Sequence, residues 1–146
     1  MQEPSAALNN LSHAVLGAAI DVHRALGPGY AESVYEKALR IELGLRAHRV
    51  RSQVIVPIVY KGEPIGEHRL DALVDSPSGT ESLLVEIKAV ERFASIHTAQ
   101  VVSYLRATGL PLGLLLNFNV PQMRMGVRRV ILGEWFAGAS NAACID

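Results

Sequence analysis

Three runs that read as strands, Val50 to Tyr60 with its β-branched Val54, Ile55, Val56, Ile58 and Val59, then Ile65 to Asp75 and Ser82 to Val90, occupy the middle of the chain, and only two short turn signals separate them. Lys61-Gly62-Glu63-Pro64 and Ser76-Pro77-Ser78-Gly79 allow tight connections, and strands joined that closely run antiparallel. A three-stranded meander is therefore the expected centre of the fold. Helical patterns flank it. From Ser5 to Leu26, apolar residues recur in steps of three and four at Leu8, Leu11, Val15, Ala18 or Ala19, Val22 and Leu26, and Gly27-Pro28-Gly29 stops the helix. A second helix is expected from about Ala31 to Ala47, with Val34, Ala38, Ile41 and Leu45 on one face and Glu32, Glu36 and Arg40 outside it. Glu32 falls in its first turn, where the helix dipole favours an acid. Ser95 reads as the N-cap of a third helix through Thr108, closed by Gly109. Leu112 to Phe118 suits a buried strand and Val127 to Leu132 a last edge strand. The order ααβββαβ(β) makes an α+β domain, helices packed on a mixed sheet, and the third helix permits a parallel crossover between the third and fourth strands.

The chain has 146 residues, 49% of them hydrophobic, enough for one core, so residues 1–136 are expected to form a single domain. Residues 137–146 are small and unpatterned and read as a flexible tail. No apolar run approaches the roughly 20 residues that span a bilayer, and no basic leader precedes an apolar stretch. A single cysteine, Cys144, excludes an internal disulfide and a Cys-based zinc site. The expected setting is cytoplasmic, with no membrane partner. Fourteen basic and 14 acidic side chains balance, which argues against coating nucleic acid by bulk charge. The balance is uneven along the chain: residues 92–133 hold five basic side chains and no acid.

Charged residues interrupt the apolar strands. In Arg69-Leu70-Asp71-Ala72-Leu73-Val74 an acid sits inside a half-buried run, and in Val85-Glu86-Ile87-Lys88-Ala89 an acid and a lysine share one face of the strand. Such groups cost several kcal/mol unless they pair or meet a metal. If the strands are neighbours, Asp71 comes within side-chain reach of Glu86. Two close carboxylates repel, and a divalent cation resolves the repulsion; oxygen ligands alone suit magnesium or manganese. Ion pairs of Glu86 with Lys88 or Asp71 with Arg69 are the other reading of the same residues. Neither HExxH nor GxSxG occurs. His13, His23, His48 and His68 show no ligand spacing, and Asn117, after the apolar strand, suits either a turn cap or a brace.

Asp71 followed after a hairpin by Glu86-Ile87-Lys88 resembles the PD-(D/E)xK nuclease core, with Leu70-Asp71 in place of Pro-Asp. Gln100-Val101-Val102-Ser103-Tyr104 is similar to the QxxxY helix motif of the RecB-like branch, and Gly29-Tyr30-Ala31-Glu32-Ser33-Val34-Tyr35 to the pattern of the small bacterial GxxExxY proteins. The resemblance covers roughly Leu11 to Val130 and implies a restriction-endonuclease-like core. It implies that Asp71, Glu86, the backbone carbonyl of Ile87 and Glu32 hold magnesium, with manganese as a substitute. Lys88 would orient or help deprotonate the attacking water; Gln100 would hydrogen-bond within the site. Tyr104 and Tyr35 would support the site or contact substrate; His97, three residues before Gln100 and so on its helix face, reads either as a site or substrate contact or as an ordinary half-buried imidazole. The implied activity is a magnesium-dependent phosphodiesterase or nuclease using metal-activated water, on DNA rather than RNA. With no separate recognition domain, specificity would come from loops, a homodimer partner or another protein. The competing readings are a nucleic-acid- or protein-binding module that keeps the fold without turnover, and a dimeric structural or toxin-antitoxin-like partner protein.

Overall fold

The computed structural model describes residues 3–133. The expected tail at 137–146 and Cys144 lie outside the described residues. Helices α1 (Ala6–Leu26) and α2 (Glu32–Leu45) precede strands β1 (Val50–Tyr60), β2 (Glu63–Asp75) and β3 (Ser82–Lys88). Helix α3 (Ser95–Thr108), strand β4 (Leu112–Asn117), a 3-10 turn (Met123–Gly126) and strand β5 (Val127–Ile131) follow. The five strands form one sheet in sequence order. β1, β2 and β3 pair antiparallel as the meander, β4 joins β3 in parallel through α3, and β5 closes the sheet antiparallel to β4. This is the α+β arrangement expected from the element order, and it agrees with the restriction-endonuclease-like core that the resemblance implies. Among the described residues no helix is long and apolar enough to cross a membrane.

Two apolar clusters sandwich the sheet. Leu11, Val15, Val22 and Leu39 of the first two helices pack on Val74, Val85, Ile87 and Leu114, while Val101, Val102 and Leu105 of α3 pack on Leu73, Leu84 and Leu115 on the other face. Gly113 makes the second contact close: a Cβ there would lie 2.9 Å from Val101 Cγ1. Ser5 caps α1 by accepting from the Leu8 N–H. The β1–β2 connection is a two-residue loop with both Lys61 (φ 49°) and Gly62 (φ 83°) left-handed, so Glu63 and Pro64 belong to β2 rather than to the turn.

Two expectations are corrected. Ala94, not Ser95, is the N-cap of α3, and its N–H is taken by His97 Nδ1 at 3.0 Å. On α2 the buried stripe is Tyr35, Leu39 and Leu43, whereas Ile41 and Leu45 are 63% and 79% exposed. Both stripes, 34/38/41/45 and 35/39/43, step by three or four. Periodicity alone cannot choose between them; the positions of α1 and the sheet do.

Candidate active site at the divergence of β2 and β3

The β2–β3 ladder runs from Asp75↔Ser82 to Ala72↔Val85 and stops. One residue further on, side chains take over from backbone partners. Asp71 Oδ2 accepts the Ile87 N–H at 2.8 Å, and Glu86 Oε1 accepts the Asp71 N–H at 3.4 Å. The two acids thus bridge the strands where they part. Ile87 turns its N–H towards Asp71, and since the N–H and C=O of one strand residue point to the same edge, its carbonyl faces the same gap.

Both sheet faces contribute. Glu86 and Lys88 alternate with Val85 and Ile87 and so share the α3 face with Leu84. From the opposite layer Glu32, the first residue of α2, extends Oε2 to the Ala89 N–H at 3.3 Å, just beyond the end of β3. The segment after β3 is held by Asn117, buried, whose Oδ1 accepts the Val90 N–H at 3.0 Å while its Nδ2 donates to the Val90 carbonyl at 2.8 Å. Asn117 is therefore a brace for the strand end carrying Lys88. Its carbonyl is approached so closely by Gly126 that a Cβ there would sit 1.9 Å from the oxygen.

Electrostatics follow from this crowding. Glu86 is only 4% exposed, and burial, with Asp71 beside it, pushes its carboxyl up to about 8. Burial also raises Asp71, against the Ile87 N–H and Lys88, which favour its charged form; Glu36 and Glu32 add repulsion. Burial, reinforced by Glu86 and Asp71, raises the Tyr104 phenol. Tyr104 thus lies within the field of both acids, its ring packed edge-on against His68 of β2 at 4.8 Å. His68, expected to be no metal ligand, is lowered by burial. Lys88 is half-buried and makes no ion pair with any described residue.

The remaining expected residues divide. Gln100, one turn before Tyr104 on α3, has a buried Oε1 with no hydrogen-bond partner among the described residues. His97 is placed by its cap on α3 and lies 6.2 Å from the Phe93 ring; no contact brings it to the acids. Tyr35 is fully buried: its hydroxyl donates to the Gly27 carbonyl at 2.5 Å and accepts the Tyr30 N–H, and its ring stacks on Phe118. It cannot reach substrate, but it anchors the α2 N-terminus that carries Glu32. Two residues were not singled out by the sequence. Glu36 stands one turn after Glu32 on the same face of α2, an i,i+4 relation that flags it. Gln53, whose Nε2 donates to Glu36 Oε2 at 2.8 Å, carries no such signal.

Among the described residues, no group of three or more His, Cys, Asp and Glu side chains stands arranged to hold a metal ion. The donor chemistry nevertheless fits a hard cation. Asp71, Glu86 and Glu32 each give one carboxylate oxygen to a backbone N–H, leaving the other without a donor among the described residues. All of these donors are oxygens.

A five-stranded mixed sheet with acids bridging its splayed central strands defines the restriction-endonuclease-like class. A family model of the PD-(D/E)XK nuclease superfamily matches residues 9–130, and the chain belongs to that superfamily. Membership suggests nuclease activity. The crystal structure of SSO0001 is similar over 84% of this chain and 77% of that one, at 16% identity and a TM-score of 0.41. No curated protein matches the chain.

Proposed function

We propose that the protein is a magnesium-dependent nuclease that hydrolyses DNA, of the GxxExxY and QxxxY type. The observation that carries this reading is the pair Asp71 and Glu86 across the divergence of β2 and β3, with Lys88 on the face of Glu86 and free of ion pairs among the described residues. A binding module gains nothing from a carboxyl buried at that cost. Asp71, Glu86, Glu32 and the Ile87 carbonyl would hold the divalent ion, which supplies positive charge to the phosphate and a more acidic water. Lys88 orients the attacking water and donates to a phosphate oxygen as negative charge builds on it. Gln100 hydrogen-bonds within the site through its orphaned amide oxygen, and Tyr104 backs the acids from α3. Tyr35 and Asn117 hold the main chain on which Glu32 and Lys88 sit.

The test is incubation of the purified chain with single- and double-stranded DNA and RNA in magnesium or manganese. Metal-dependent cleavage of DNA, lost in Asp71→Ala and Lys88→Ala, is expected. Absence of cleavage by the wild type, or cleavage unchanged in both variants, overturns the reading.

A further inference from the structure

We infer that Gln53 is a positioning residue, and that its left-handed backbone sets the half-turn of the β1–β2 hairpin that delivers Asp71 to β3. Gln53 has φ 52°, a conformation rarely seen for a residue in a strand. Its cross-strand position is Asp71, yet the ladder passes from Ser52↔Ala72 to Val54↔Leu70 without a pair between them. The hairpin changes faces at that level in both strands. Val50, Ala72 and Val74 pack with α1 and α2, while Val54, Val56 and Leu70 pack with α3. Leu70 and Ala72 are two residues apart and in a regular strand would face the same way. The face switch leaves Asp71 at the crossover, where its carboxylate turns out of the β1–β2 ladder and onto the Ile87 N–H. Glu36 Oε2 accepts from the Gln53 amide, so the helix that carries Glu32 also touches the strand residue opposite Asp71. Ser52, next to the kink, has a buried hydroxyl without a hydrogen-bond partner among the described residues.

The metal role of Asp71 rests on the nuclease reading; its placement does not, and the two are tested separately. Amide hydrogen exchange at Ile87 reports directly whether Asp71 accepts its N–H, in metal-free protein and without substrate. Val disfavours positive φ strongly, whereas Gly and Asn accept it. Gln53→Val is expected to lower Ile87 protection at least tenfold while β4 amides keep theirs, and to weaken Mn2+ binding by calorimetry at least tenfold. Gln53→Gly and Gln53→Asn should retain both. Unchanged Ile87 protection in Gln53→Val overturns the inference, as does an equal loss in the Val, Gly and Asn variants. If Gln53→Val does not fold, Gln53→Ala carries the test: Ile87 protection equal to that of the Gly and Asn variants overturns it. Absence of Mn2+ binding by the wild type overturns the metal site alone, since the amide readout needs no metal.

Discussion

Glu86 holds a proton in the folded, metal-free protein up to a pH of about 8, while its ordinary value is 4.5. Between those values the folded chain binds a proton that the unfolded chain releases, so stability from this group is complete below the lower value and is lost as pH rises through the upper one. The melting temperature of metal-free protein is therefore expected to fall from about pH 5 to about pH 8.5, and Glu86→Gln to flatten that fall. Added Mn2+ should raise melting more at the alkaline end, where the carboxylate is free to bind. A melting temperature that climbs over this range in metal-free wild type contradicts the assignment. Lys88→Ala is expected to lower turnover by about 10²- to 10⁴-fold with Mn2+ affinity retained, measured by single-turnover cleavage beside calorimetry. Asp71, Glu86 and Lys88 were legible because a charge in an apolar strand demands a partner. Gln53 was not, because nothing in its chemistry announces a positive φ.

Elements place these residues through a few close contacts. Tyr35→Phe removes the donor to the Gly27 carbonyl and the acceptor for the Tyr30 N–H, and should cost about 1–3 kcal/mol in urea unfolding. It should also reduce cleavage, since Glu32 loses its anchored helix start. Two glycines offer a graded comparison. Gly113→Ala meets a side chain at 2.9 Å and should cost about 1–3 kcal/mol, whereas Gly126→Ala meets the Asn117 carbonyl at 1.9 Å and should cost more. Equal stability of the two variants would show that the Asn117 loop yields freely. The meander followed from turn spacing, and the helix between β3 and β4 permitted the parallel crossover that the sheet adopts. The buried face of α2 did not, because two overlapping stripes satisfy one period.

At the scale of the whole molecule, a net charge of zero means that attraction to a polyanion is local. Arg49 and Arg51 pair with Asp75, Arg46 with Asp21 and Glu42, and Arg128 donates to Thr98 and lies over the Phe93 ring, so part of the basic charge is already partnered. DNA affinity is expected to be weak, to require magnesium and to fall with salt. Equal affinity with and without magnesium, in a filter or anisotropy assay over a salt series, runs against this view.

The order of elements, the meander and the acids on β2 and β3 were determined by the sequence alone, because period, turn chemistry and the cost of burying charge are local properties. Packing across the molecule, by contrast, sets the end of the ladder at Ala72↔Val85 and brings Glu32 from the far side of the sheet. It alone decided that Asn117 braces Val90, and that the hairpin reverses its faces at Gln53 and Asp71. Each depends on two segments distant in sequence being packed at one point, and no local pattern encodes where that point lies.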